Sequence, residues 1–270
     1  MQDDLTLALW QTPYAANTAE ALLRLDAAAA WANAQGAQVL ITPEMFLTGY
    51  AIGPERVTAL AEPGDGPLAQ AVADIAQRHG IAIVCGYPEH NPAGKPFNAT
   101  QFIAPDGTRP MRYRKTHLYG DLDRAQFSAG DTASQVFTWH GWRLGLLICY
   151  DVEFPEAVRG LALQGADVVL VPTANMQGFD EVQRVLLPAR ALENRTFIAY
   201  ANACDREGDI AYNGLSAVHA PDGTAIARAD SGPALTLATL SSALRAQAQA
   251  STQLRDRRSE LYGPLSQPQR

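Results

Sequence analysis

The sequence predicts an α/β protein, a four-layer α-β-β-α sandwich made of two pseudo-symmetric halves. Three observations lead there. Gln35-Gly36-Ala37-Gln38-Val39-Leu40-Ile41-Thr42-Pro43 recurs as Gln164-Gly165-Ala166-Asp167-Val168-Val169-Leu170-Val171-Pro172. Ala104-Pro105-Asp106-Gly107-Thr108 recurs, in the same order, as Ala220-Pro221-Asp222-Gly223-Thr224. Between these markers each half carries a helix, a buried strand and a hairpin. One match alone could arise by chance; two in register argue against it. Alternating helix and strand in both halves gives two sheets packed face to face, with helices on the outside.

Taken in order, Leu5 to Trp10 is a short apolar strand. Asn17 to Gln35, rich in Ala and Leu, is a helix with Asn17 or Thr18 as N-cap and Gly36 as stop. Val39 to Ile41 is a strand ending at Pro43-Glu44. Pro67 to His79 is a helix closed by Gly80, and Ile81 to Tyr87 a buried strand. Asn98 to Ile103 and Met111 to Tyr113 flank a Pro-Asp-Gly turn, a hairpin signal. Lys115 to Asp131 is a polar loop, long for a compact domain, and such loops are usually functional or disordered. In the second half, Leu144 to Ile148 reads as a fully buried strand and Pro155 starts a helix. Phe197 to Asn202 is the counterpart of Ile81 to Gly86. The chain is read as a single domain, 1–270. From Leu244 on it has a charged helical piece (Leu254, Arg255, Arg257, Arg258) and a Pro-rich end, expected to pack as an arm or tail, on another subunit if there is one.

Composition narrows the function. With 47% hydrophobic and 18% charged residues in 270, a large core is available and disorder is not indicated. A net charge of −7 without a basic run argues against nucleic acid. No apolar run approaches a membrane span, and the N-terminus does not read as a signal peptide. Three well-separated cysteines imply no disulfide framework and fit a reducing cytoplasm. The five histidines are scattered and no metal-ligand spacing is present, so neither a metal nor another cofactor is indicated.

The chemistry centres on Trp142 to Glu156, where Cys149 ends a buried strand and is followed by Tyr150, Asp151, Glu153 and Glu156. A thiol on such a turn is placed as a nucleophile, although a buried structural cysteine is the commoner fate. Glu44, among Met45, Phe46 and Leu47, would have a raised pKa and suit a base; alone it also reads as a solvated loop acid. Lys115 could lower the thiol pKa and hold an oxyanion, or be one of a surface basic pair. Either Asp121 or Asp123 could be a second acid beside the base, although loop aspartates are ordinarily solvated turn residues. The Tyr150 backbone N–H is the natural second oxyanion donor. Asp151, Glu153 and Glu156 read as helix N-terminal charge. His117 could pair with Cys149, but no orienting partner stands out. An N-carbamoyl substrate would call for a cationic clamp; Arg184, Arg190 and Arg195 are available, and read as solvated helix charges.

In combination, Pro43-Glu44, Arg114-Lys115-Thr116-His117-Leu118 and Cys149-Tyr150-Asp151-Val152-Glu153-Phe154-Pro155-Glu156 resemble the nitrilase, or carbon–nitrogen hydrolase, superfamily across essentially the whole chain. The resemblance implies the same sandwich and a Glu–Lys–Cys triad at Glu44, Lys115 and Cys149, with a thioester intermediate and loss of ammonia. True nitrilases usually have Cys-Trp-Glu at the nucleophile; Cys149-Tyr150-Asp151 is similar to the amidase branch. Within that branch, Pro43 to Gly53, Gly80 to Glu89, Tyr113 to Arg124 and Val171 to Met176 resemble the bacterial 5-aminopentanamidases. This implies 5-aminopentanamide as substrate and a place in lysine degradation. General aliphatic amides, ω-amides and N-carbamoyl amines fit the same triad, and a silent nitrilase-like binding module is the alternative of another class. The family commonly has Glu in the loop after the lysine, where this chain has Asp121, so the resemblance implies the second acid at Asp121, with Asp123 as the competitor. It also commonly assembles through helices flanking the nucleophile, so a homodimer or higher homo-oligomer is expected through Pro155 to Gln164 and the C-terminal arm, with a small amide as the remaining partner.

Overall fold

A computed structural model describes residues 3–263 and 267. The first half runs β1 (Leu5–Gln11), α1 (Thr18–Ala34), β2 (Val39–Ile41), α2 (Pro54–Ala59), α3 (Pro67–His79), β3 (Ala82–Glu89), β4 (Phe97–Ile103), β5 (Met111–Arg114) and α4 (Gly120–Gln126). The second runs β6 (Phe137–Trp139), β7 (Trp142–Leu146), α5 (Pro155–Leu163), β8 (Val168–Thr173), α6 (Leu187–Asn194) and β9 (Phe197–Asn202), then β10 (Cys204–Glu207), β11 (Ile210–Asn213), β12 (Ala217–His219) and β13 (Ala225–Arg228). β14 (Ala234–Leu240) and α7 (Ser242–Ala250) follow.

Two six-stranded sheets form, in the orders β14-β1-β2-β3-β4-β5 and β13-β12-β9-β8-β7-β6. Each has three parallel central strands and antiparallel edges. The period-2 alternation of strands divides the packing. Leu5, Leu7, Leu9, Val39, Ile41 and Val84 turn inward against the second sheet, while Ala8, Trp10, Leu40 and Ile83 turn outward against α1 and α3. Central strands buried on both faces are why these segments read as unbroken apolar runs.

The sequence repeat is a structural repeat at the level of single hydrogen bonds. Ala37 N–H donates to Ala32 O and Ala166 N–H to Leu161 O, 3.0 Å in both, with Gly36 and Gly165 at φ 81° and 86°. Asp106 accepts from the N–H and hydroxyl of Thr108 at 2.9 and 2.6 Å, and Asp222 from those of Thr224 at the same distances. Asn17 caps α1 by accepting from Glu20 N–H at 3.0 Å, and Gly80 ends α3 in the left-handed region, as expected.

Three expectations need correction. The buried strand stops at Leu146; Leu147 N–H still donates to Leu170 O (3.1 Å), and the 3₁₀ turn begins at Cys149. The long loop contains the helix α4, whose first turn holds Asp121 and Asp123 at the positive end of its dipole. The C-terminal helix lies earlier, at Ser242–Ala250, capped by the Ser241 hydroxyl, while the charged piece at Leu254 to Arg258 is turn and irregular chain. Pro264 and Pro268 of the Pro-rich end lie outside the described residues. Among those described, no helix is long and apolar enough to cross a membrane.

Candidate active site

Three strand ends of the two sheets converge. After β2 the chain turns through Pro43-Glu44 and Met45, whose φ is 51°. A Cβ on Gly86 of β3 would overlap the Met45 backbone nitrogen and stand 3.2 Å from the Glu44 carbonyl carbon, so only glycine lets the Glu44 loop lie this close to the sheet. The loop is pinned from both sides: Glu44 N–H donates to Thr173 O (3.2 Å), and the Tyr14 hydroxyl donates to Glu44 O (2.8 Å). After β5, Lys115 N–H donates to Asn98 O (2.8 Å) and Lys115 O accepts from Gly130 N–H (2.8 Å). After β7, Cys149 sits at φ 45°, the left-handed conformation of a sharply turned residue, and opens a 3₁₀ turn over Cys149–Glu153.

Asp151 locks this turn to the lysine segment. Its fully buried carboxylate accepts from Ile148 N–H (3.1 Å), His117 N–H (3.0 Å) and the Tyr113 hydroxyl (3.0 Å), and contacts His117 Nδ1 at 2.8 Å. His117 therefore does have an aspartate partner, contrary to expectation, and it also stacks on Phe154 at 3.9 Å. Its ring hydrogen bonds among the described residues are to Thr116 and Asp151 and not to Cys149.

Glu44, Lys115 and Asp123 form a buried ion cluster. Lys115 Nζ donates to Glu44 Oε1 (2.8 Å) and Asp123 Oδ2 (2.7 Å), and all three side chains are inaccessible. Asn98 also donates to Glu44 Oε1 (2.6 Å), while Glu44 Oε2 is buried without a partner. Asp123 takes further bonds from the Tyr50 hydroxyl (2.7 Å) and Tyr119 N–H (2.8 Å). Burial raises the Glu44 carboxyl above the usual range, against the pull of Lys115. Burial works against the Lys115 ammonium too, but Glu44 and Asp123 outweigh it and hold the amine protonated. Burial and then the Glu44 carboxylate push the Cys149 thiol well above its ordinary value; Lys115 and the Ala174 backbone N–H act the other way. The resting group is a thiol, beside a carboxylate that has one unused oxygen and a raised proton affinity.

Asp121 is exposed on the outer face of α4 and Asp123 is the aspartate that reaches Lys115, which reverses the order in which the two were placed. Arg190 is not a solvated helix charge: it is buried and donates to Val152 O (3.0 Å) and Glu153 O (2.6 Å), bracing the nucleophile turn. Arg184 is exposed, and Arg195 bonds Gln253. Glu156 lies in the first turn of α5, as its reading as helix charge has it. Asn98, Tyr50, Tyr14 and Ala174 were not anticipated. Each comes from a different segment; Tyr50 and Ala174 lie within Pro43 to Gly53 and Val171 to Met176, and it is their place in the cluster that local sequence does not mark. Among the described residues no three His, Cys, Asp or Glu side chains are grouped to hold a metal.

The carbon–nitrogen hydrolase family matches residues 6–250. The chain belongs to this family. A hydrolase encoded in the pqqF 5′ region of Pseudomonas protegens is 52% identical over 87% of this chain and 82% of its own length. An (R)-stereoselective amidase of Pseudomonas is 38% identical over 61% of this chain and 58% of its own. Among solved structures, an amidase from Nesterenkonia sp. AN1, as a double mutant with acrylamide, superposes with a TM-score of 0.85 at 35% identity over 97% of both chains. A further structure of that amidase holds butyramide (TM-score 0.83, 36% identity, 97% of both chains). The carbon–nitrogen hydrolase described here has the nitrilase-superfamily sandwich and is an amidase.

Proposed function

We propose that the enzyme is a thiol amidase that converts a short-chain aliphatic primary amide to carboxylate and ammonia through a thioester on Cys149. The observation that carries this reading is the half-used carboxylate of Glu44. Oε1 is held by Lys115 and Asn98, whereas Oε2 has no partner. A fixed acid with one free oxygen and a raised pKa suits proton transfer in both directions near neutrality.

Glu44 takes the Cys149 proton as the sulfur attacks the amide carbon. The carbonyl π-electrons move to oxygen, which Lys115 Nζ and the Tyr150 N–H stabilise. Collapse breaks the C–N bond as Glu44 gives the proton to the amide nitrogen, which departs as NH₃. Water then adds to the thioester, Glu44 accepting its proton and returning it to the thiolate as the acid leaves. Asp123, as the second acid, keeps Lys115 charged and aimed. No cofactor enters any step.

The substrate proposed is 5-aminopentanamide, giving 5-aminopentanoate, a step of lysine degradation in the cytoplasm. A second reading, a general short-chain amidase, is favoured by the butyramide and acrylamide bound to the Nesterenkonia amidase. An N-carbamoyl clamp finds less support, because Arg190 is engaged by backbone carbonyls. A homodimer or higher homo-oligomer through α5 and the C-terminal segment completes the reading, and is supported by the exposed Leu163 and Leu192. The test is ammonia release from 5-aminopentanamide, butanamide and glutaramate. Cys149→Ala is expected to lose at least about 10³-fold, because nucleophile and base act as a unit. Turnover retained by that variant would refute the mechanism.

A further inference from the structure

The acid that the mechanism leaves unused is Glu153. It closes the 3₁₀ turn that Cys149 opens, four residues from the nucleophile. It is half-buried, and its carboxylate has no hydrogen bond or ion pair among the described residues. The cations near it, Lys115 and Arg190, are engaged elsewhere: Lys115 by Glu44 and Asp123, and Arg190 by the carbonyls of Val152 and Glu153 and by Glu193. Those Arg190 bonds fix the Glu153 backbone while leaving its carboxylate without an ion-pair partner among the described residues. An aromatic wall stands beside it, Tyr119 meeting Tyr150 at 5.3 Å and Phe179 at 6.0 Å, with Tyr150 on Phe154 at 5.0 Å.

A half-buried acid without a counter-charge is costly unless a ligand supplies one. Burial first, then the nearby Glu181 carboxylate, raise the Glu153 pKa, and Lys115 draws it down. The carboxylate therefore lies within the field of the cluster where Glu44 Oε2 waits unpartnered. Four residues of 3₁₀ helix advance about 8 Å along the backbone, and a five-carbon amide places its terminal atom about 6 Å from the reacting carbon, spans of the same order.

We propose that Glu153, with Glu181 behind it, forms the subsite for a cationic group at the far end of the acyl chain, so that the preferred substrates are aliphatic amides bearing a terminal ammonium. This rests on the thiol amidase reading and sharpens it: Glu153 is a specificity residue and takes no part in the bond-making steps. The aromatic wall contacts the methylene chain, and the two carboxylates disfavour an acyl chain ending in a carboxylate.

The experiment compares 5-aminopentanamide with hexanamide, which has a methyl group in place of the ammonium. The wild-type kcat/KM ratio is expected to favour the ammonium at least tenfold, about 1.4 kcal/mol. Glu153→Gln is expected to reduce that ratio about tenfold, mainly through KM, and Glu181→Gln by about two- to threefold, since that carboxylate is exposed. A measurement on the unmutated enzyme stands beside the variants: n-butylammonium should inhibit hexanamide hydrolysis competitively where butan-1-ol does not. Equal inhibition by the two, or a ratio unmoved by Glu153→Gln, overturns the subsite while leaving the amidase intact. No Cys149-dependent ammonia release from any of these amides overturns both readings.

Discussion

Replacing Lys115 by Met tests the ion cluster directly. The ammonium lies 2.8 Å from Glu44 and 2.7 Å from Asp123, with all three groups fully buried. At an effective dielectric near 20, each contact has a Coulomb energy of ~6 kcal/mol. Desolvation opposes this with several kcal/mol per ion. Met fills the space of the lysine stem but leaves two acids facing each other in a dry site. Removing one partner of such a cluster costs about 3–5 kcal/mol, which lowers Tm by about 5–9 °C in a protein of this size. The pH dependence has a definite sign. Glu44 is already raised by burial against the pull of Lys115, and loss of the cation removes that pull and raises it further. The folded variant then binds more protons than its unfolded chain at neutral pH, so its stability rises as pH falls. Equilibrium urea unfolding, followed by fluorescence of the four tryptophans, should show the full deficit at pH 8 and a smaller one at pH 5. Adding Glu44→Gln and Asp123→Asn should recover most of it. A loss below about 1 kcal/mol at pH 7, or a deficit independent of pH, would refute this electrostatic account.

Two further outcomes follow from the geometry. Gly86→Ala pushes a methyl group into the Met45 backbone and displaces the Glu44 loop; kcat should drop at least tenfold and stability by about 1–3 kcal/mol, and an unaltered kcat would mean the loop has room to yield. Asp123→Asn should lower kcat about 10²-fold, while Asp121→Asn on the exposed face stays within twofold; steady-state ammonia assays that give the opposite ranking would return the second-acid role to Asp121.

The layers and the alternation of helix and strand were legible because duplication wrote them twice. The repeat fixed which helix precedes which strand, and the Asp-Gly turns marked both hairpins. The choice between Asp121 and Asp123 was not legible, for a definable reason. Two residues apart on a helix are about 200° apart around its axis, so one faces Lys115 and the other faces water, but α4 is seven residues long and mostly polar, without the apolar periodicity that announces a helix. Arg190 owes its burial to the nucleophile turn lying over it, a contact 38 residues away in sequence. Asn98 and Tyr50 reach the cluster by tertiary convergence alone. The residues that could be named from sequence were those adjacent to strand ends, where chain direction already dictates position.

The hydrogen bond from Glu44 to Thr173 joins two equivalent positions of the repeat, since Pro43 matches Pro172. Carrying the strand registers through the same correspondence sets Thr12 opposite Cys149 and Ser231 opposite Lys115. The molecule thus possesses a twin of its reactive corner in which acid, amine and thiol are replaced by three hydroxyl side chains. Hydroxyls do not ionise near neutrality, so this corner can close without counter-ions. Thr12 bridges to Ala203 and receives the Arg24 guanidinium, and the Gln11 amide ties down Asp230 O and Gly232 O. Doubling the scaffold released one corner from reactivity. It became a rivet for the two sheets, and its sibling remained a socket.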